Sequence, residues 1–126
     1  MKTYTKSLAL FLVTCAFAVT CLTPPAFASA KWTFMVYLCA ENNLEPDGID
    51  DFLEMAKAGS NSNINIVVQM DRINEFDSRY GDWKTCKRFL VGKDMEPTAA
   101  SALEDIGEVN MGHPDTLKAF IEWGTT

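Results

Sequence analysis

The sequence predicts an α/β fold that begins with a βαβ unit and continues with one further strand and one further helix. Nearly continuous apolar runs at residues 32–40 and 64–70 are typical of strands in a parallel sheet that is buried on both faces. A helical pattern of apolar residues lies between these runs, and the whole unit takes about forty residues, as a βαβ unit requires. The two strands are therefore expected to be parallel neighbours joined by a right-handed crossover.

The first thirty residues are expected to stand outside this fold. Lys2 and Lys6 precede an apolar run at residues 8–22, two prolines follow it, and small residues close the stretch at Ala28-Ser29-Ala30. This order is the pattern of a secretory signal peptide, so we expect cleavage between Ala30 and Lys31 and a secreted, cell-surface or periplasmic product. The alternative is a retained membrane anchor, but the run is shorter than the ~20 residues that cross a bilayer, so no stable span is expected.

Removal of residues 1–30 would leave residues 31–126, which suffice for one small domain. The full chain has a formal net charge of −6, and loss of Lys2 and Lys6 makes it −8. A surface this acidic argues against nucleic acids and anionic membranes as partners.

Two of the four cysteines, Cys39 and Cys86, belong to residues 31–126. They do not form a C-x-x-C pair, so a zinc site or a thioredoxin-like motif has no support. Export would permit a Cys39–Cys86 disulfide. Each cysteine lies in an apolar strand-like run, however, where a free cysteine behaves as a small core residue. The sequence therefore favours two buried thiols over a disulfide.

The first half of the domain is predicted from local patterns. After the strand at 32–40 comes a polar turn at 41–45, and Pro46 suits the first position of a helix because it lacks an N–H. Gly59 provides the helix stop. The helix carries an apolar stripe at the spacing of one face, formed by Ile49, Phe52, Leu53 and Ala56.

The second half of the domain, residues 64–126, is predicted to contain less regular secondary structure than the first half. The strand at 64–70 is followed by a polar loop at 71–82 and by a third, less buried strand at 83–91 that carries basic residues. Residues 92–100 are expected to form an exposed loop and residues 103–112 an irregular segment. Pro114 is expected to open the last helix, which places Leu117, Phe120 and Ile121 on one face.

Two groups of polar residues are candidates for chemical sites. A nucleophilic cysteine needs a histidine within hydrogen-bond reach, and the one histidine, His113, precedes Pro114, where a helix-capping role is favoured. Calcium sites need a defined loop geometry, and the twelve-residue signature is absent. A solvated acidic loop and no metal are therefore predicted for Asp71, Glu75, Asp77 and Asp82.

Ligands of open parallel α/β sheets bind beyond the carboxyl ends of the strands. In this sequence Asn42 and Asn43 follow the first strand, and Asp71 follows the second. These three residues are candidates for the lining of a cleft. The alternative is that Asn42 and Asn43 only satisfy turn and helix-cap hydrogen bonds.

Several ordered blocks of residues 31–126 resemble the clostripain-like cysteine peptidases. The blocks are Lys31-Trp32-Thr33-Phe34-Met35-Val36-Tyr37, Ala40-Glu41-Asn42-Asn43-Leu44-Glu45, Asp50-Asp51-Phe52-Leu53-Glu54-Met55, Gly59-Ser60, Asn65-Ile66-Val67-Val68-Gln69-Met70-Asp71-Arg72, Leu103-Glu104-Asp105-Ile106-Gly107-Glu108-Val109-Asn110-Met111-Gly112 and Pro114-Asp115-Thr116-Leu117.

The resemblance implies a caspase-like α/β/α sandwich, of which this chain would hold a truncated part. It also implies cleavage of peptides or proteins after basic residues by a Cys–His pair, and it admits calcium as a cofactor. The family's histidine and cysteine would both lie beyond Thr126, so no catalytic residue is assigned in this chain. His113 stands where the family usually carries an acidic residue.

The sequence is therefore interpreted as a signal peptide at residues 1–30 followed by the N-terminal part of a clostripain-like peptidase domain at 31–126. Without the catalytic pair, this part is expected to be inactive alone. The alternative is a small exported binding module without catalytic activity, or one half of a split peptidase, because an unpaired sheet edge invites association.

Overall fold

The computed structural model describes residues 30–126, so the predicted signal peptide lies outside the described residues apart from Ala30. The elements, in chain order, are β1 (Trp32–Ala40), α1 (Glu45–Ala58), β2 (Ile64–Arg72), a short 3₁₀ turn (Arg79–Gly81), β3 (Cys86–Leu90), β4 (Glu104–Gly107) and α2 (Pro114–Gly124).

The four strands form one mixed sheet in the order β1-β2-β3-β4. β1 and β2 are parallel, with Trp32 opposite Ile64 and Ala40 opposite Arg72, which confirms the predicted βαβ unit. β3 is antiparallel to β2. β4 is antiparallel to β3, with a register shift between Cys86 and Lys87.

The two helices cover opposite faces of the sheet. Successive strand residues point to opposite faces, and α1 packs on the face that carries Leu38 and Ala40, both of which lie close to Gly48. α2 packs on the other face, where the ring centroids of Tyr37 and Phe120 are 5.7 Å apart. The result is a small α/β structure with a helix on each side of the sheet, which confirms the predicted α/β class, although the sheet has four strands and not the three predicted.

The core between α1 and the sheet is apolar and closely packed. Phe52 of α1 meets Phe89 of β3 edge to face, with ring centroids 5.1 Å apart. Full burial of an aromatic or branched apolar side chain contributes about 1.5–3 kcal/mol. The remaining buried members of the cluster are Ala40, Ile49, Ala56, Ile66, Val68, Met70, Trp83 and Val91.

The prediction that β1 is buried on both faces is wrong. Trp32 is 69% exposed and Phe34 is 57% exposed. The reason is the position of β1 at the end of the strand order, which leaves only one strand neighbour among the described residues.

The third strand is also more buried than its composition indicated. Lys87 and Arg88 are only 4% and 7% exposed. β4, which falls in a segment expected to be irregular, supplies their counter-charges: Lys87 pairs with Asp105, and Arg88 Nη1 lies 2.9 Å from Glu104 Oε2. An aromatic ring lies near each cation, Trp83 for Lys87 and Trp123 for Arg88. Except for that of Lys87 with Trp83, these contacts join residues at least 16 positions apart, so the local pattern could not reveal them.

Neither helix of residues 30–126 is long and apolar enough to cross a bilayer.

Candidate functional site

Asp71 is an unusual group at the end of β2. It stands opposite Cys39 of β1 and Cys86 of β3, and it is 1% exposed. Among the described residues, neither of its carboxylate oxygens has a hydrogen-bond partner. An ionised carboxylate in such a position is costly unless a proton or a cation compensates it.

The pKa of Asp71 is raised to about 7. Burial is the main cause, because it penalises the charged form. The nearby carboxylates of Glu108 and Glu41 raise the pKa further by repulsion. The backbone N–H of Arg72 lowers it in part, although this group does not reach either oxygen with hydrogen-bond geometry.

A cavity of about 410 Å³ opens at this end of the sheet. Cys39 and Glu41 line it on the β1 side, and residues 108–112, which follow β4, line it on the other. Two contacts hold this segment against the sheet: the Tyr37 hydroxyl donates to the Met111 carbonyl at 3.0 Å, and Gln69 Nε2 lies 3.2 Å from Met111 Sδ. The cavity wall is therefore anchored to β1 and β2.

Three carboxylates converge beside this cavity. Oxygen atoms of Glu41, Asp71 and Glu108 all lie within 4.8 Å of one another. Glu41 and Glu108 are exposed, whereas Asp71 is buried. Such a set can bind a cation through oxygen ligands, and it repels anions.

The predicted cleft residues take different positions in the structure. Asp71 lies in β2 beside Glu41 and Glu108, and not in a solvated loop as expected. The Asn42 amide donates to the Cys39 carbonyl at 3.1 Å and its Oδ1 accepts from the Leu44 N–H at 2.9 Å, so Asn42 does form turn hydrogen bonds. Asn43 is exposed. A cleft-lining role for the three residues stays a prediction.

Glu108 was not singled out from the sequence. Its position depends on β4, which was not predicted, and on the chain turning back over the sheet after Gly107, whose φ is +74°. The local signal for this position is Gly107 directly before Glu108. Glycine readily adopts positive φ, so it marks a place where the chain can turn.

The two thiols are free, and only Cys86 is buried. The prediction of two buried thiols is therefore wrong for Cys39, which lies on the exposed strand β1. Burial, followed by repulsion from Asp71, raises the pKa of Cys86 to about 12, and the same two causes raise the pKa of Cys39. Both groups are held in the thiol form, which is a poor nucleophile.

His113 is the N-cap of α2, as predicted. Its Nδ1 accepts a hydrogen bond from the Asp115 N–H at 3.2 Å, and its backbone is extended, as is usual at this position. The one histidine of the chain is thus engaged at a helix start, and residues 30–126 contain no activated Cys–His pair.

The loop after β2 is organised by arginine residues, in contrast to the solvated acidic loop that was expected. Arg72 Nε donates to Glu45 Oε1 at 2.7 Å in a pair with both side chains fully buried, and Arg72 Nη2 donates to the Asp77 carbonyl. The hydrogen bond from Arg79 lowers the pKa of Asp77. Glu75 and Asp82 are exposed.

A mixed sheet with a helix on each face defines an α/β domain. The sequence profile of the Clostripain family matches residues 36–125. This chain therefore belongs to the clostripain family of cysteine peptidases.

A curated relative supports the same assignment. Clostripain of Hathewaya histolytica is 31% identical over 107 residues, which cover 74% of this chain and 20% of that protein. The chain thus spans about a fifth of the length of this relative.

Proposed function

We propose that this chain is the N-terminal part of a secreted clostripain-like cysteine endopeptidase that, when complete, cleaves peptides or proteins after arginine or lysine. Membership of the clostripain family supports the reaction class. The helix layers on both faces of the sheet are compatible with one portion of a caspase-like α/β/α sandwich.

The observation that carries this proposal is the state of the nucleophile and base candidates. Cys86 is buried with a pKa of about 12, the pKa of Cys39 is raised, and His113 caps a helix. Catalysis by cysteine needs a thiolate next to a base. In our proposal, residues 31–126 therefore supply the start of the sheet and one wall of the cleft, and other segments of the complete peptidase supply the Cys–His pair.

A peptidase assay with the purified chain tests the first half of this proposal. We expect no cleavage of chromogenic peptides with Arg or Lys before the scissile bond and no labelling by an active-site thiol probe, with active clostripain as the positive control. Cys39→Ser and Cys86→Ser variants should match the unaltered chain. Cleavage that either substitution abolishes would contradict the proposal.

Sequencing of the genomic DNA past the Thr126 codon, in all frames, tests the second half. We expect a stretch that encodes a strand, a histidine, another strand and a cysteine. If no frame encodes this order, the proposed relation to a complete peptidase fails.

Export is tested separately by the mass of the product. We propose cleavage after Ala30, so the exported protein should begin at Lys31. Ala30→Asp places a charge at the cleavage site, where signal peptidase needs a small residue, and should leave the precursor uncut. Ala26→Ser, a substitution of one small residue outside that site, is the matched control and should be processed normally.

A second candidate is a binding module, or one half of a split peptidase. The observation in its favour is the apolar surface of β1. Phe34, Val36, Met55, Ala58, Ile64 and Ile66 line a cavity of about 350 Å³ without polar surface. A cooperative unfolding transition for residues 31–126 alone would favour a stable module, and a molten or aggregating product would count against it.

A further inference from the structure

We propose that two copies of this chain pair through β1 in antiparallel orientation, about a two-fold axis that passes between their Val36 residues. The two four-stranded sheets would then join into one continuous sheet. The surface involved is the outer edge of β1, which has no strand neighbour among residues 30–126. The inference does not depend on the proposed peptidase activity, and its test measures no cleavage.

The outer edge of β1 offers backbone hydrogen-bonding groups at alternate residues. The Trp32 N–H donates to the Asn63 carbonyl at 3.1 Å, so the backbone groups of Trp32 point towards β2. The direction alternates along a strand, so the groups of Val36 also point to β2, and those of Met35 and Tyr37 point outwards. An axis at Val36 sets Met35 opposite Tyr37 of the second copy, where the two residues can exchange both hydrogen bonds.

The side chains of β1 suit a contact of the strand with itself. All nine residues of β1 are uncharged, whereas natural edge strands commonly carry a charge that prevents pairing. An axis at Val36 brings the two Val36 side chains together, and it sets Phe34, which is 57% exposed, opposite Leu38 of the second copy. Phe34 and Val36 also line the apolar cavity beside α1, which has no polar surface. Covering this face with a second copy would therefore bury apolar surface without stripping water from polar groups.

Opposite charges at the two ends of β1 select the orientation and the register. Lys31 directly precedes the strand, Glu41 directly follows it, and both are exposed. The two residues are equally far from Val36 along the chain, so the axis sets Lys31 of each copy opposite Glu41 of the other. Opposite charges at facing positions of an antiparallel pair stabilise it. A parallel arrangement in register would set like charges opposite each other.

This symmetry favours a second copy as the occupant of the edge. A two-fold contact requires a surface that is complementary to itself. The charges of Lys31 and Glu41 and the apolar residues between them meet this requirement about one point, Val36. An unrelated strand would match the apolar residues, but the placement of the two charges favours a copy of the same strand.

Light scattering coupled to size-exclusion chromatography, over a range of concentrations of the purified chain, tests the pairing. We expect a dimer that dissociates on dilution. Lys31→Glu turns two attractive pairs into repulsive ones and should weaken dimerisation about tenfold or more. Adding Glu41→Lys to this variant exchanges the charges and should restore the dimer. Lys84→Glu, the same charge change at an exposed lysine outside β1, is the matched control and should dimerise as the unaltered chain does.

Disulfide cross-linking tests the register. Facing residues of a non-hydrogen-bonded pair have Cα atoms about 4.5 Å apart, which a disulfide can bridge. In a background with Cys15→Ser, Cys21→Ser and Cys39→Ser, Val36→Cys should therefore give a covalent dimer on a non-reducing gel. Phe34→Cys in the same background is the control on the same strand face. Its two thiols would stand four residues apart along the paired strands, about 13 Å, and should stay reduced.

Three results would overturn the proposal. They are a chain that stays monomeric, which would leave the β1 edge to a strand from elsewhere, a dimer that cross-links equally at both positions, and a dimer that Lys31→Glu leaves unchanged. Circular dichroism shows whether the cysteine variants are folded. If they are not, the exposed Lys31 and Glu41 variants decide the question, because only facing charges predict loss in the single variant and recovery in the double variant.

Discussion

The two buried carboxylates of this domain differ through their neighbours. Glu45 is fully buried, and Arg72 Nε donates to it at 2.7 Å, so its charge is compensated. Asp71 is almost as inaccessible, yet carboxylate oxygens of Glu41 and Glu108 lie within 4.8 Å of it. Sequence patterns placed Asp71 at a strand end but could not predict its burial, because that depends on where β3 and residues 108–112 pack.

The free energy of unfolding should depend on pH because the pKa of Asp71 is raised in the folded chain. Its pKa in the folded chain is about 7, and an unfolded aspartate titrates near ~3.9. The folded state therefore holds an extra proton between these values. The stability that Asp71 contributes is complete below about pH 4 and is lost as the pH rises towards 7.

Asp71→Asn should flatten this decline in the free energy of unfolding, measured by urea unfolding in EDTA from pH 4 to 8. The thiols of Cys39 and Cys86, with raised pKa values, stay neutral throughout this range. Glu54→Gln should keep the slope of the unaltered chain. Equal slopes for Asp71→Asn and the unaltered chain would show that Asp71 ionises normally.

The Glu45–Arg72 pair should matter more than any exposed ion pair. Glu45→Ala leaves the Arg72 guanidinium buried without its counter-charge, and it removes the acceptor of the Asp77 N–H. Loss of one partner of a buried pair costs about 3–5 kcal/mol. Glu122→Ala, which breaks the exposed Lys118–Glu122 pair, should cost at most about 0.5 kcal/mol. Denaturant unfolding measures both, and similar losses would refute the expected difference.

At the scale of elements, local patterns predicted both helices and three of the four strands. β1, α1, β2 and α2 each carry a continuous apolar run or a helical stripe, together with proline or glycine at the ends, and these signals act within a few residues. β4 and the full burial of β3 were missed, because Lys87 and Arg88 are stabilised by β4 carboxylates and Arg88 also by the distant Trp123 ring. Sequence patterns alone predict that a charged side chain is exposed to solvent, because they do not show the partner that compensates its charge when it is buried.

The end of α1 depends on a glycine for two reasons. Gly59 has φ +68° and ψ 159°, a region that other residues rarely adopt, and a Cβ there would lie 2.5 Å from the Lys93 backbone nitrogen. Gly81 also has a positive φ, +92°, but a Cβ there would contact nothing within 4 Å. Substitution at Gly81 therefore tests backbone strain alone, whereas substitution at Gly59 tests backbone strain together with a steric clash.

We expect Gly81→Ala to lower the free energy of unfolding by about 1–2 kcal/mol from backbone strain. Gly59→Ala should cost a further amount of about 1–3 kcal/mol, because the Lys93 backbone must move. Thermal and urea unfolding of the two variants, side by side, measure the difference. Equal losses would mean that the junction of α1 with residues 92–93 is loosely packed.

At the scale of the whole molecule, the sheet is covered unevenly. α1 and β3 bury the centre of one face, and α2 meets the other face through Phe120 and Gly124. The outer side of β1 has no strand neighbour among the described residues, and Trp32 and Phe34 are exposed there. An edge strand with unpaired backbone groups and exposed aromatic residues is a template for association.

The isolated chain should therefore self-associate through β1. Phe34→Lys places a charge on the edge strand, which natural sheets use to prevent pairing, and should raise the monomer fraction in sedimentation velocity at matched concentrations. Phe76→Lys is the matched control, because Phe76 is exposed as well but lies in the loop after β2. If the unaltered chain is monomeric, or if both substitutions raise the monomer fraction equally, self-association through β1 is contradicted. Dissociation by Phe34→Lys alone would identify β1 as the surface on which a further strand of a complete peptidase could pair.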